Sequence, residues 1–136
     1  MEIETALKNY LLAQTSVKAK VDQRINYVFE KNQSITKPYI VITRLVDPGI
    51  HTSDGPVAVG SIRVMVSCFG TTWTSAQDVA AAVKAALDGV TGVIGTSGAL
   101  TGVTVNPVFY DDQSAGYESD TELYYIDQEY ICETEG

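Results

Sequence analysis

Residues 57–69 alternate between two kinds of side chain, and this alternation constrains the fold more than any other feature of the sequence. One face of the predicted strand is apolar and carries Ile62, Val64, Val66 and Cys68. The other face is mixed and carries Ser61, Arg63, Met65, Ser67 and Phe69. Because successive side chains of a strand point to opposite sides, this pattern predicts a sheet that is covered mainly on one side.

A helix is predicted directly after this strand, at about residues 73–88, and it supplies the cover. Its apolar residues recur at helical spacing: Ala76, Val79, Ala80, Val83 and Leu87. The many alanines keep this stripe flat, so that the helix can lie close to a sheet. Thr74 and Gln77 have the spacing of a capping box, and Thr71 or Thr72 are alternative caps. Gly89 is a typical C-terminal stop.

The remaining segments predict the fold class. Residues 2–14 have helical spacing of Ile3, Leu7 and Leu11, whereas residues 15–23 form a polar connection, with or without a helical turn. Further strands are predicted at 24–29, 39–46, 103–110 and 122–133, with an acidic loop at 111–121. This order predicts an α+β fold with a largely antiparallel sheet of about five strands. A length of 136 residues predicts a single domain over 1–136.

Two segments are predicted to lie outside this framework. Residues 47–56 carry turn signals near both ends, at Asp47-Pro48-Gly49 and at Ser53-Asp54-Gly55-Pro56. They are longer than a tight hairpin needs, and we therefore expect a projecting arm. Residues 89–102 contain five glycines and no charged residue, and they predict a flexible connection that includes no strand.

Charge is distributed unevenly along the chain, whose net charge is −8. Residues 1–44 hold seven bases and four acids, a net charge of +3, whereas residues 110–136 hold nine acids and no base, a net charge of −9. The negative total argues against a protein that grips nucleic acid through its phosphates. Two explanations of the asymmetry stay open. The two segments are neighbours or face water, or they form edges of opposite sign that associate head to tail.

The sequence contains no convincing catalytic or metal-binding motif. The turn at 70–75 lacks the second Gly and the Lys of a phosphate-binding loop. Asp111, Gly116 and Glu122 have calcium-loop spacing, but Gln113 and Ala115 stand where ligands are needed. His51 is the one histidine and has no partner motif. We therefore predict no enzyme activity, no metal and no cofactor.

The predicted cytoplasmic location and the predicted free state of the two cysteines agree with each other. No apolar stretch approaches the ~20 residues that span a bilayer, and the acidic N-terminus is unlike a signal peptide. We expect a protein that stays in the cytoplasm where it is made and has no membrane partner. Cys68 and Cys132 lie in strand-like segments and are predicted to be buried free thiols.

Protein-interface candidates are the charged and aromatic residues of the arm, the strands and the acidic segment. Trp73 is the only tryptophan, and it stands where the strand turns into the helix. It either packs under the first helical turn or anchors a protein interface. The full set of candidates comprises Arg44, Asp47, His51, Asp54, Arg63, Trp73, Asp111 and Asp112.

The order of elements resembles that of the tail terminators, or tail-completion proteins, of long-tailed bacteriophages. The resemblance covers an N-terminal helix, the short strand at Arg24-Ile25 and the strand that Pro38-Tyr39 opens. It continues through the arm, the strand at 61–69, the turn at 72–76 and the helix that ends at Gly89. An acidic segment and a Tyr-rich last strand complete it. The glycine-rich segment 89–102 departs from the family pattern.

The resemblance implies a structural role in the virion. Family members form a ring, generally sixfold, at the head-proximal end of the tail tube, where they end tube polymerisation and meet the head-side connector. DNA passes through the lumen. Assembly would take place in the host cytoplasm, and the final location would be the head–tail junction. Alternatives are another neck protein such as a head-side stopper, a minor tail protein, and, from a different class, a small ligand-binding α+β domain.

Overall fold

The computed structural model describes residues 3–27, 38–45, 59–96, 101–120 and 122–135. Three helices lie within these ranges: α1 (Ile3–Leu12), α2 (Thr15–Val21) and α3 (Trp73–Leu87). The strands are β1 (Ile25–Tyr27), β2 (Tyr39–Leu45), β3 (Val59–Gly70), β4 (Gly92–Ile94), β5 (Val103–Glu118) and β6 (Leu123–Glu135). The predicted arm at 47–56 lies outside the described residues.

The strands form one sheet in the order β1-β2-β3-β6-β5-β4. Every neighbouring pair is antiparallel except β1 and β2, which run parallel. The predicted α+β class with a largely antiparallel sheet is therefore confirmed. The described residues contain six strands, not about five. The additional strand, β4, lies in the glycine-rich segment and is only three residues long.

The helices cover one face of the sheet, as the alternation in β3 predicts. Val64, Val66 and Cys68 of β3 are buried on this inner face. The predicted stripe of α3 lies against them, and all five of its members are buried: Ala76, Val79, Ala80, Val83 and Leu87. The opposite side of the sheet, called the outer face below, carries no helix among the described residues.

The turn between β3 and α3 is shaped by steric contact and by a helix cap. A Cβ on Gly70 would come within 2.6 Å of the backbone nitrogen of Ala76, so only glycine lets the first helical turn approach so closely. The Thr72 hydroxyl accepts a hydrogen bond from the backbone N–H of Ser75 at 3.1 Å. Of the candidate caps, Thr72 is therefore the one used.

The connection predicted at 15–23 is helical, and the acidic loop predicted at 111–121 is wrong. Residues 15–21 form α2, whose Val17 and Val21 are buried. β5 continues through Asp111 to Glu118 and pairs with β6 from Val105 onwards, with register shifts between Val105 and Val108 and between Tyr110 and Asp112. Pairing with β6 holds these polar residues in a strand despite their low strand propensity.

One buried polar side chain connects α3 to the hairpin of β5 and β6. Gln128 is 1% exposed. Its amide nitrogen donates to the carbonyl of Ala80 in α3 at 3.1 Å and to Oε1 of Gln113 at 3.3 Å. Its amide oxygen accepts from the Tyr130 hydroxyl at 2.8 Å. Because each of these groups is hydrogen-bonded, burial of the amide is tolerated and its position is specific.

Helix α1 contacts strands at both ends of the sheet order, β1 and β2 on one side and β4 on the other. The sheet must therefore curl around it. Asn9 donates from Nδ2 to the carbonyl of Gly95 at 3.1 Å, and the Tyr10 hydroxyl donates to the carbonyl of Ala86 at 2.9 Å. Gly95 lies directly on the backbone of Ala6, with no space for a side chain. The glycine-rich segment thus packs directly against the N-terminal helix.

We predict that Gly95→Ala destabilises the fold more than Gly92→Ala. Both glycines have positive φ, +76° and +100°, and both substitutions incur about 1 kcal/mol of backbone strain. Only at Gly95 does the new methyl group also overlap α1, whereas the position at Gly92 is open. Urea unfolding followed by tryptophan fluorescence measures the difference. Equal free energies of unfolding would show that α1 does not depend on this contact.

Burial of the two thiols predicts a loss of stability at alkaline pH. Burial, with a smaller effect of Glu133, raises the pKa of Cys132 from 9.0 to about 12, and burial also raises the pKa of Cys68. The unfolded chain then loses these protons first. Stability is therefore complete below about pH 9 and falls as pH rises towards 12, by up to about 1.4 kcal/mol per pH unit for each thiol.

The matched measurement compares the free energy of unfolding of the original chain with that of Cys132→Ala, at pH 8 to 11 with reductant present. The variant is expected to be less stable at pH 8 because it loses buried volume. Its stability should nevertheless fall less steeply with pH. Identical slopes would contradict a raised thiol pKa in the folded state.

Candidate interaction surfaces

Among the predicted interface residues that the structure describes, Arg63 and Asp111 form an ion pair, whereas Arg44 pairs with a residue outside the predicted set. Arg63 on the outer face forms an ion pair with Asp111, at 2.6 Å between Nη1 and Oδ2, and Asp112 follows in the chain. Arg44 lies on the helix side, where its Nη1 is 3.8 Å from Oε1 of Glu4 in α1. Asp47, His51 and Asp54 lie outside the described residues, so nothing can be said of their surroundings.

The geometry of the acidic segment is unlike a calcium loop. Asp111 and Gly116 lie in an extended strand, and Glu122 follows the turn that ends the hairpin. Extended backbone separates such residues instead of wrapping them around a cation. Within the described ranges, no group of three or more His, Cys, Asp or Glu side chains has an arrangement that would hold a metal ion.

Trp73 lies at the surface and not under the helix. Its side chain is 41% exposed, and its ring meets the edge of Tyr124 at a centroid distance of 6.1 Å. Tyr124 in turn contacts Tyr117, which is 51% exposed, at 4.8 Å. These three rings form an aromatic cluster at the N-terminal end of α3. Exposed, mutually supported aromatic rings are typical of protein-binding surfaces, and the role of Trp73 as an anchor stays a prediction.

A second group of aromatic rings lies on the outer face at the same end of the sheet. The rings of Tyr39 and Phe69 stack at 4.6 Å with an interplanar angle of 7°. Tyr125 packs beside Phe69 at 6.2 Å and covers Gly116, where a Cβ would overlap its ring. Burial raises the pKa of the Tyr39 hydroxyl, so this group stays neutral. Sequence patterning missed this group because its three rings come from three different strands.

The rest of the outer face is rich in carboxylates. Strand β6 places Asp127, Glu129 and Glu133 there, each half-buried between neighbouring strands. The Ser61 hydroxyl donates to Oε2 of Glu133 at 2.7 Å. Arg63 of β3 lies in the same part of the outer face as Asp112 of β5, with β6 between them. Most of the acidic C-terminal segment is therefore gathered on one side of the protein.

Strand β5 also presents an edge that no described strand covers. β4 pairs only with Val103–Val105, and the loop after α3 then holds Val108 through hydrogen bonds of 2.7 and 2.9 Å. From Asp111 to Glu118, only β6 lies beside β5 within the described part of the chain. We call residues 111–118, together with Asp120 and Glu122 of the following turn, the acidic edge. Its carboxylates are all exposed: Asp111, Asp112, Glu118, Asp120 and Glu122.

Basic side chains lie on α2, which packs against α3, α1 and β2, and directly before β1, at the other end of the sheet order from β5. Lys18 and Lys20 of α2 are exposed, and no described acid forms an ion pair with either. The Arg24 guanidinium donates to the carbonyl of Pro38 at 2.8 Å and to that of Lys20 at 3.4 Å. Lys18, Lys20 and Arg24 are called the basic corner below. One exposed acid, Asp22, lies among them.

None of the described helices has the length and apolarity to cross a membrane.

Comparison with known proteins identifies the family. A family model described as tail completion protein gp17 matches residues 5–134. A chain from the virion of a native gene transfer agent particle has the same fold, with a TM-score of 0.73, 17% identity, and coverage of 98% of this chain and 95% of that chain. A second solved structure has a TM-score of 0.52 and 16% identity, with coverage of 96% and 94%. No curated protein is similar in sequence.

The two solved structures are too distant in sequence to show more than the fold, whereas the family model spans nearly the whole chain and includes every described helix and strand in whole or in part. The protein therefore belongs to the tail completion protein gp17 family, a family of structural virion proteins and not of enzymes.

Proposed function

We propose that the chain forms a ring of copies, a hexamer as the family resemblance implies, at the head-proximal end of the tail tube. There the ring ends tube polymerisation and offers the surface that joins the head. The observation that carries this proposal is the family match over residues 5–134. The shared fold with a virion chain of a gene transfer agent particle supports it.

The proposed partners are the tail tube protein, the head-side connector or stopper, and further copies of this chain. DNA would pass through the ring without specific binding. The charge of the described surface supports this, because the carboxylates of the outer face would repel phosphates.

Two alternative functions are weighed against this one. Length and acidity do not separate the proposed function from that of another neck protein or a minor tail protein. A small ligand-binding domain would need a concave pocket that encloses its ligand. The depressions found in the described part of the chain are shallow and open, for example the one between Phe69, Tyr125 and Asp127. The assembly function is therefore the better supported one.

Deletion of the gene tests the proposed function. We expect a lysate of a phage that lacks this gene to contain overlong tail tubes without heads, because nothing stops tube growth. Electron microscopy measures the distribution of tail lengths, and a plasmid copy of the gene is the control that should restore it. Tails of normal length that fail to join full heads would move the protein to the head side of the neck. Normal infectious particles would overturn an assembly role.

The arm at 47–56 is proposed to contact the tail tube or a neighbouring copy. Its length and its two turn signals motivate this assignment. Deletion of residues 50–54 should leave a folded protein that no longer binds tubes in a co-sedimentation assay. A variant in which the same five residues are replaced by Gly and Ser separates the effect of length from that of sequence. Normal tube binding by the deletion variant would remove the arm from the contact.

A further inference from the structure

We propose that the acidic edge of one copy docks on the basic corner of the next copy, and that this contact repeats around the ring. The inference rests on the proposed ring and names the surfaces that form it. The two surfaces belong to the same chain and have opposite charge. Each copy therefore carries both halves of one contact.

The acidic edge has three features of a docking surface. Five exposed carboxylates occur there without an intervening base in the sequence. The backbone of residues 111–118 is paired on one side only within the described chain, and an unpaired strand edge attracts a partner. Tyr117 adds an exposed apolar ring within the same segment.

The basic corner offers the complementary features. Lys18 and Lys20 project from α2 into solvent, and the Arg24 side chain is held in place by its hydrogen bonds to backbone carbonyls. Beside Lys18 lies a shallow depression whose other lining residues are Leu12, Ala13, Thr15 and Ala19. This depression provides apolar surface next to the cations. Asp22 reduces the positive charge of the corner but does not cancel it.

The sheet keeps the two surfaces apart within one molecule. A single row of paired residues crosses five strands, from Ile25 through Ile40, Cys68 and Ile126 to Ala115. Arg24 precedes the first member of this row, and Ala115 lies in the middle of the acidic edge. The row contains four strand spacings of about 4.8 Å, so its ends are roughly 19 Å apart along the sheet. No ion pair between described residues joins the two surfaces within one copy.

The contact is of a kind that can close into a ring, because it joins two different surfaces of identical copies. Such contacts generate rings when the rotation closes and helical filaments when each step also rises. A second copy is the occupant that the opposite charges favour, because each chain carries both surfaces.

Charge reversal at each surface, alone and together, tests this contact. One variant carries Lys18→Glu and Lys20→Glu, a second carries Asp112→Lys and Asp120→Lys, and a third carries all four changes. All four positions are exposed, so the fold should be kept. The variant with two Glu places like charges across the contact, and the variant with two Lys leaves three acids beside two bases on the acidic edge, so that most of the attraction is lost. The four-site variant restores opposite charges and has the original net charge.

The readout is complementation of a phage that lacks the gene, measured by plaque titre and by tail length. We expect both two-site variants to lose complementation and the four-site variant to regain it. The control Ala81→Glu with Ala85→Glu adds negative charge at exposed positions of α3 and should complement normally. Normal complementation by either two-site variant would overturn the proposal. So would failure of the four-site variant when circular dichroism shows that it is folded.

Cross-linking gives a measurement that does not depend on charge reversal. Lys18→Cys and Asp112→Cys in one chain should yield a ladder of disulfide-linked oligomers from assembled tails on non-reducing gels. Each single substitution should not, because Cys68 and Cys132 are buried. Absence of the ladder in tails of normal length would overturn the docking contact while leaving the tail function intact. Failure of the gene deletion to alter tails would instead overturn the function.

Discussion

The contact between Ala6 and Gly95 is the constraint on which the rest of the fold depends. The sheet has two short edge strands, β1 and β4, and neither has enough pairing to hold its end of the sheet alone. Helix α1 lies between them and is close enough to β4 only because residue 95 has no side chain. The hydrogen bonds from Asn9 and Tyr10 fix the same arrangement. The curl of the sheet follows from this arrangement, because a flat sheet would carry β4 away from α1.

One-sided burial gives the two faces of the sheet different roles. The inner face holds the core and is packed against helices, as a single layer of helices on a sheet requires. The outer face and the exposed edge of β5 are the surfaces that we propose for contacts with other molecules. Their carboxylates and exposed rings are not needed for the core. Mutations of the exposed residues should therefore change assembly while leaving stability nearly unaffected.

Periodicity predicted the parts of the fold where burial is regular. The stripe of α3 and the alternation of β3 were both confirmed, because each element is long and buries one face. The strand at Asp111–Glu118 was not predicted, because its acids, glycine and serine are poor strand formers and only pairing with β6 places them there. β4 and α2 are three and seven residues long, too short for a reliable period. The sequence shows that the two ends of the chain have opposite charge. Where these charged residues lie in the folded sheet depends on the strand order, which cannot be read from composition.

Gln128 helps to specify the register of the hairpin of β5 and β6. Its neighbours in the chain are Asp127 and Glu129, which lie on the outer face. A slip of β6 by one residue would turn a carboxylate inward, towards the Ala80 carbonyl that now accepts from the Gln128 amide. Two acceptors would then meet in a dry environment without a proton donor between them. The hydrogen-bonded amide thus favours the correct register of β6. A misaligned hairpin is destabilised inside the core, so that the carboxylates of β5 and β6 keep the same positions in every copy of the chain.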